Sequence, residues 1–225
     1  MNREEDPEDV RRLLDARGYR CVFRSRSRPY IFRYKAPENG QEVDGYVNLQ
    51  KKTRQQAYGV AFGVTCKAAE HLLEAAEPSL RTSPLLPAYS LVTPFVAWFS
   101  AGRLLRSHLI NIPDRTGSKS LPQLLDELVT MVLQPYVEGP TSCLDVLAML
   151  RRNDLPFEWA FINPPRRALH LAATARVLGM DRQQVTDELL AFRGTLRGDL
   201  HREEVWGGIV TFIVSVLWDP LTLRH

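Results

Sequence analysis

Two different spacings of apolar residues divide the chain. Val10, Leu13 and Leu14 recur at helical spacing, and Pro7 stands at a position typical of the first residue of a helix. The pattern predicts an N-terminal helix over residues 7–17.

From residue 19 to residue 65 the apolar residues alternate with other residues, as they do in β-strands. The alternating positions include Tyr30, Phe32, Tyr34, Val47, Leu49, Tyr58, Val60, Phe62 and Val64. The Asn-Gly step within "PENGQ" predicts a tight hairpin turn. Small residues, Gly59, Ala61 and Gly63, form the second face of the last strand, where we expect a helix or another backbone to approach closely.

Helical signals replace the alternation after residue 65. They predict helices at residues 66–76, 142–152 and 181–192, and one that follows Pro164-Pro165 and ends at Gly179. A capping pair, Ser120 and Gln123, predicts another. The apolar run from Val205 to Trp218 is shorter than the roughly 18 residues that span a bilayer, so we expect a buried terminal helix or strand pair.

The sequence therefore predicts an α+β fold. It comprises an N-terminal helix and an antiparallel four-stranded meander, followed by a mostly α-helical C-terminal half. A change in composition near residues 78–94 places the division between an α/β sheet subdomain, residues 1–80, and a helical subdomain, residues 81–225. We expect the two to pack as one compact unit.

Composition and cysteine content narrow the class of protein. In 225 residues, 44% are hydrophobic and 24% are charged, as in an ordinary soluble globular protein. Three cysteines, Cys21, Cys66 and Cys143, are widely spaced and form no CxxC pair. They indicate buried thiols in a reducing compartment. The acidic N-terminus lacks the apolar core of a signal peptide, so we predict a cytoplasmic protein without membrane insertion.

Motifs for catalysis and metal binding are absent from the sequence. It contains no HExxH, no GxSxG and no GxxxxGK, and the pairs His71/Glu74 and His201/Glu204 each supply only two ligands. We therefore predict no catalytic residue, no metal and no cofactor. An enzyme whose site is assembled from separated residues stays open as an alternative; its candidates are His71, Glu74, His170, Asp181 and His201.

Positive charge is concentrated in one part of the chain. Between Arg20 and Arg54 there are nine basic residues against three acids, although the net charge of the whole chain is only +3. The residues predicted to bind a partner are Arg24, Arg26, Arg28, Arg33, Lys51, Lys52 and Arg54. The first three would share one sheet face if their strand ran unbroken to Pro29.

Such a surface suits three roles. Basic residues beside the aromatic residues of the strands suit a nucleic acid. They also suit an acidic protein partner, because electrostatic complementarity speeds and orders association. A solvated face whose arginine stems cover apolar surface is the third interpretation.

Several short motifs resemble those of a family of small bacterial α/β proteins. They are the Gly18-Tyr19 step, the strand Val47–Lys51 ("VNLQK") and the segment Phe62–Val64. The family has no assigned function, and some members resemble immunity proteins encoded beside secreted polymorphic toxins. The match covers about the first 110 residues and departs at Lys52, where the family has a small polar residue.

The resemblance implies a non-enzymatic cytoplasmic protein that neutralises a cognate toxin by direct binding. The gene of the toxin would then lie beside the gene of this protein. The alternative is a nucleic-acid-binding regulator that uses the basic strands between residues 20 and 54.

Overall fold

A computed structural model of the protein describes residues 8–25, 28–34, 42–52, 57–81, 97–100, 121–152, 164–196 and 198–219. The α-helices are α1 (Glu8–Ala16), α2 (Lys67–Arg81), α3 (Leu121–Leu128), α4 (Cys143–Arg151), α5 (Pro164–Val177), α6 (Arg182–Ala191) and α7 (Glu203–Trp218). A π-helical segment (Val129–Glu138) continues α3, and two 3-10 turns (Phe192–Thr195 and Gly198–His201) precede α7. The strands are β1 (Tyr19–Ser25), β2 (Arg28–Tyr34), β3 (Val43–Lys52), β4 (Ala57–Cys66) and β5 (Ala97–Ser100).

The predicted fold class is confirmed. An N-terminal helix is followed by a four-stranded antiparallel sheet and then by a mostly helical C-terminal half. The sequence did not indicate β5, which extends the sheet to the order β1-β2-β3-β4-β5. The predicted Asn-Gly turn and the capping residue Ser120 lie outside the described residues.

Local capping chemistry explains where several helices begin and end. Gly18 has a φ of 83°, which favours glycine, and its N–H donates to the carbonyl of Asp15 at the end of α1. Reciprocal capping boxes open α4 at Ser142 and α6 at Asp181, as the sequence predicted. The apolar run that ends at Trp218 is a helix, α7, rather than a strand pair.

The β1–β2 hairpin corrects one expectation about the basic strands. Ser25 pairs with Arg28, so β1 ends before residue 26 and β2 begins two residues later. The condition under which Arg24, Arg26 and Arg28 would share one sheet face, an unbroken strand to Pro29, is therefore not met. Arg24 lies on β1 and Arg28 on β2, while residue 26 lies outside the described residues.

Strand β3 is buried on both faces. Every residue from Val43 to Leu49 is buried, whereas a half-exposed strand would alternate. Gly45 is the point of closest approach between β3 and the π-helical segment. A Cβ atom built there would lie 2.6 Å from both Cγ1 and the carbonyl oxygen of Val137. On the same segment, the ring of Tyr136 stacks on that of Phe62 in β4 at 5.6 Å.

The close approach that we expected at Gly59, Ala61 and Gly63 stays a prediction. The small face of β4 is buried where the structure describes it, at Ala61 and Gly63.

The chain divides into two compact units, and the division does not follow residues 1–80 and 81–225. The first unit contains Met1–Val64, Trp98–Thr141 and Leu155–Phe161, and the second contains Thr65–Ala97, Ser142–Asp154 and Ile162–His225. The reason is packing across long sequence separations. The π-helical segment packs on β3, whereas α2 packs on α5 and α7.

Helix α5 is the centre of the second unit. It packs against α2, α4, α6 and α7, and it is buried without interruption from Ala168 to Ala175. Two side chains make hydrogen bonds between helices of this unit. Trp206 of α7 donates from Nε1 to the carbonyl oxygen of Leu189 in α6 at 2.7 Å. Arg167 donates to the carbonyl oxygens of Leu150 and Arg152, each at 2.8 Å, and so satisfies groups at the end of α4.

A disulfide joins Cys66, the last residue of β4, to Cys143, the first residue of α4. Both residues are buried, and Cys21 is exposed on β1. The expectation of three buried thiols is therefore wrong. No local pattern indicates this pairing, because the two cysteines are 77 residues apart and meet only when the second unit packs. No helix among the described residues is both long and apolar enough to cross a membrane.

The disulfide predicts a specific loss of stability. Replacement of Cys143 with Ser should lower the free energy of unfolding by about 2–4 kcal/mol, because the bond closes a long loop in the unfolded chain. Chemical denaturation followed by far-ultraviolet circular dichroism measures the change, and Cys21→Ser is the matched control. Thiol titration of the denatured, unreduced protein should find one thiol, and three after reduction. Three thiols before reduction would contradict the bond.

The close approach at Gly45 predicts a second effect. Gly45→Ala places a methyl group against Val137 and should destabilise the protein by about 1–3 kcal/mol through overpacking. Gly207→Ala on α7 is the control, since nothing lies within 4 Å of the added carbon, and it should be neutral or stabilising. Equal effects of the two substitutions on the urea midpoint would contradict the packing seen at Gly45.

Candidate functional site

Pairing of the first three strands gathers basic residues at one end of the sheet. Strands β2 and β3 are antiparallel, and Tyr30 of β2 pairs with Leu49 of β3. Beyond this pair, β2 reaches its first residue, Arg28, and β3 reaches its last residue, Lys52. The beginning of β2 and the end of β3 therefore lie at the same end of the sheet. The end of β1 lies there too, since Ser25 pairs with Arg28.

This arrangement defines the candidate site, which we call the basic end. It consists of Arg24, Arg28, Lys51 and Lys52, contributed by three strands that are adjacent in the sheet. The strand register thus places the backbone of four basic residues at one end of the sheet. Two further predicted residues, at positions 26 and 54, lie outside the described residues.

Arg33 is not part of the basic end. It pairs in register with Tyr46, three residues along β2 from Tyr30, and its Nη2 donates to Oδ2 of Asp44. The Asp44 side chain is only 2% exposed, and the guanidinium also lies 5.8 Å from the centre of the Tyr46 ring. A buried carboxylate needs a positive or hydrogen-bonding partner, so this arginine has a structural role inside the sheet.

Asp44 and Asn48 are polar residues that the sequence reasoning missed. Both are buried, at 2% and 4% exposure, on the face of β3 that also carries Tyr46. Within the described part of the chain, Oδ1 of Asn48 accepts no hydrogen bond. The sequence carries a signal for them. Asp44 and Asn48 are four residues apart in an otherwise apolar strand, so they lie on the same face.

A second ion pair fixes the start of β1 against the π-helical segment. Arg17 donates from Nε to Oε1 of Glu138 at 2.8 Å and from Nη2 to Oε2, and the hydroxyl of Tyr19 donates to Oε1 at 3.2 Å. The hydrogen bond to Glu138 raises the pKa of Arg17. Burial, followed by the charge of Glu138, raises the pKa of Tyr19. The tyrosine thus stays protonated and acts as a donor, which makes this cluster a structural clamp.

The residues considered for a dispersed catalytic site occupy different environments. His170 is buried within α5, whereas His71 and Glu74 are exposed on α2 and His201 is exposed before α7. The Asp181 carboxylate accepts the N–H of Gln184 at 2.8 Å as the cap of α6. Burial, with a smaller effect from the Arg166 charge, lowers the pKa of His170 to about 3. This histidine is therefore neutral at physiological pH.

Metal ligands do not cluster in the described part of the chain. No group of three or more His, Cys, Asp or Glu side chains there is arranged to hold an ion. Among the described residues, neither His71/Glu74 nor His201/Glu204 belongs to a group of three or more potential ligands.

No family model, no curated protein and no solved structure matches the chain. The resemblance to the immunity-like family therefore stays a prediction based on the short motifs given above.

The buried His170 predicts a pH-dependent stability. Its folded pKa lies below the unfolded value of 6.5, so protonation favours the unfolded chain. Its contribution is complete above pH 6.5 and is lost progressively as the pH falls towards 3. Between pH 7.5 and pH 5, the wild type should lose about 2 kcal/mol more stability than His170→Gln.

Urea unfolding followed by circular dichroism at the two pH values measures this difference. His71→Gln, at an exposed histidine of α2, is the matched control and should lose as much stability as the wild type. If His170→Gln retains the full acid sensitivity, His170 is not buried as a neutral side chain.

Proposed function

We propose that the protein is a non-enzymatic binding protein that neutralises a cognate toxin by direct contact through the basic end. The observation that carries the proposal is the strand register that brings Arg24, Arg28, Lys51 and Lys52 to one end of the sheet. A rigid sheet that presents several like charges suits a partner with a complementary acidic surface. Complementary charge accelerates the encounter and orients the two proteins.

The internal ion pairs support this assignment. Arg33 and Arg17 are used within the protein, by Asp44 and Glu138, so they fix the strands that carry the basic end rather than extend its surface. The protein then resembles a preorganised binding module, in which little ordering of the backbone has to accompany association. Preorganisation of this kind is valuable for an inhibitor, because a toxin has to be held with a slow dissociation rate.

The environments of the candidate catalytic residues also support a binding role. His170 is buried and neutral, and the Asp181 carboxylate is engaged as a helix cap. A cytoplasmic location belongs to the same proposal. The Cys66–Cys143 disulfide would then have to form in a compartment that keeps most thiols reduced. The thiol titration described above, carried out on protein prepared from the native host, tests whether it forms there.

Charge reversal at the basic end tests the proposal. The genes on either side of the protein's own gene are expressed singly in a sensitive bacterial host, with and without this protein. One of them should be toxic alone and tolerated on co-expression. The variant Arg24→Glu/Arg28→Glu, and separately Lys51→Glu/Lys52→Glu, should weaken binding of that toxin about tenfold or more, as measured by calorimetry.

Two arginines of the second unit provide the matched control. Arg182 and Arg202 are exposed on α6 and before α7, and Arg182→Glu/Arg202→Glu makes the same charge change at residues outside the basic end. This variant should protect as well as the wild type. If no neighbouring gene product is toxic, or if the basic-end variants protect fully, the proposal is wrong.

A nucleic-acid role for the same residues would have a different signature. Binding of duplex DNA would fall with salt along a log-log slope of roughly 0.9 for each phosphate that the protein neutralises. Titration of a labelled duplex and a labelled single strand at several salt concentrations distinguishes the two roles. Steep salt dependence together with absent toxin binding would favour the nucleic-acid-binding alternative.

A further inference from the structure

The Cys66–Cys143 disulfide lies where two segments of the chain enter the second unit. Cys66 is the second residue of the segment that begins at Thr65, and Cys143 is the second residue of the segment that begins at Ser142. Each cysteine is also a terminal residue of its element, the last of β4 and the first of α4. The bond therefore fixes two entry points of the chain to each other.

The burial of the bond narrows the roles that it can have in a reducing compartment. Proteins of such a compartment rarely hold permanent disulfides, and the disulfides found there are mostly catalytic or redox-sensing. A catalytic pair needs an accessible thiolate. Cys66 and Cys143 are only 0% and 2% exposed, so the pair fits a sensing role better than a catalytic one.

The first turn of α4 gives a soluble thiol a route to the bond. Buried sulfur atoms exchange with such a thiol only when the surrounding structure opens. The first turn of a helix opens readily, because its backbone N–H groups have no partners within the helix. Cys143 lies in this turn, beside Leu144, which is 60% exposed.

A single capping box holds this turn closed. The hydroxyl oxygen of Ser142 accepts the N–H of Asp145 at 3.2 Å, and the Asp145 carboxylate accepts the N–H of Ser142 at 3.0 Å. Loss of these two hydrogen bonds opens the start of α4, so Cys143 becomes accessible without global unfolding.

We propose that Cys66 and Cys143 form a reversible redox pair that sets the lifetime of the folded protein. This inference rests on the cytoplasmic location that belongs to the proposed function. The co-reactant is a low-molecular-weight thiol such as glutathione. Its thiolate attacks one sulfur atom and forms a mixed disulfide, and the other cysteine leaves as a thiolate that takes up a proton.

A second glutathione completes the reduction. Its thiolate attacks the glutathione sulfur of the mixed disulfide, and the remaining cysteine leaves as a thiolate and is protonated. The two glutathiones thereby lose two electrons and become glutathione disulfide, while both cysteines become thiols. Glutathione disulfide drives the same steps in reverse.

The oxidation state changes stability through the loop that the bond closes. This loop, residues 66–143, includes α2, α3 and the π-helical segment. The closed loop has less conformational freedom in the unfolded chain than the open one, so the oxidised protein spends less time unfolded. A protease therefore digests the oxidised protein more slowly. Reduction shortens the lifetime of the inhibitor, and digestion of the inhibitor releases the toxin.

Equilibration with glutathione tests whether the pair is reversible. Full-length Cys21→Ser protein, which retains only the two cysteines of the pair, is incubated with reduced and oxidised glutathione in different ratios. Alkylation followed by mass spectrometry counts the thiols. The pair should be mostly oxidised at equal concentrations and mostly reduced when reduced glutathione is in about a hundredfold excess. A bond that persists at this excess, or that does not form at equal concentrations, would overturn the proposal.

The rate of reduction tests the route through α4. Ser142→Ala removes the cap of α4 and should speed reduction of the bond about fivefold. Asp181→Ala is the matched control, because it removes the corresponding cap of α6, a helix that carries neither cysteine. This control should leave the rate unchanged. Equal rates for the two variants would show that reduction does not proceed through the first turn of α4, and this result would overturn the proposal.

Proteolysis under native conditions measures the effect on lifetime. The reduced form of the Cys21→Ser protein should be digested about tenfold faster than its oxidised form. The variant Cys21→Ser/Cys143→Ser cannot form the bond, so it should be digested at the same rate in reducing and oxidising buffer. Equal rates for the oxidised and reduced forms of Cys21→Ser would contradict the proposed effect.

These measurements use the protein without its partner, so their outcome can be separated from that of the proposed function. If the pair does not respond to glutathione while the basic end still determines protection against the toxin, the toxin-binding function stands and the redox pair is wrong. If the pair responds but no neighbouring gene product is toxic, the redox pair stands and the proposed function is wrong.

Discussion

Burial of β3 on both faces is the constraint on which the first unit depends. A strand enclosed on both sides needs a partner for each polar group that it carries and space for each neighbour that covers it. Asp44 is therefore paired with Arg33, and Gly45 gives the π-helical segment room to approach. The π-helical segment in turn ends at Glu138, which receives hydrogen bonds from Arg17 and Tyr19. One buried strand thus determines the ion-pair and hydrogen-bond partners of several charged residues that are distant in the sequence.

The same constraint explains the structural role of Arg33. Arg33 belongs to the basic stretch between residues 20 and 54, but it pairs with the buried Asp44. Burial of that carboxylate without a partner would cost free energy. The residues of the basic end lie at the other end of β2 and β3, where the strands begin or finish.

The second unit has a different organisation. It is built around α5, whose small buried residues allow four other helices to approach, and polar side chains connect those helices at their ends. Arg167 is an example: it satisfies the terminal carbonyls of α4 and stacks on Phe192 at 4.6 Å. The disulfide adds a covalent connection between the end of β4, just before α2, and the start of α4. Burial of His170 in α5 lowers its pKa, so we expect this unit to lose stability in acid.

The sequence by itself determined what depends on near neighbours in the chain. Helical spacing, capping residues such as Ser142 and Asp181, and the alternation of apolar residues predicted the α+β fold and most of its elements, because each reflects interactions within a few residues. The tertiary structure alone decided what depends on residues far apart. The break between Arg24 and Arg28, the pairing of Arg33 with Asp44 and the bond between Cys66 and Cys143 follow from strand register and helix packing. No local pattern specifies these contacts, because their partners meet only in the folded chain.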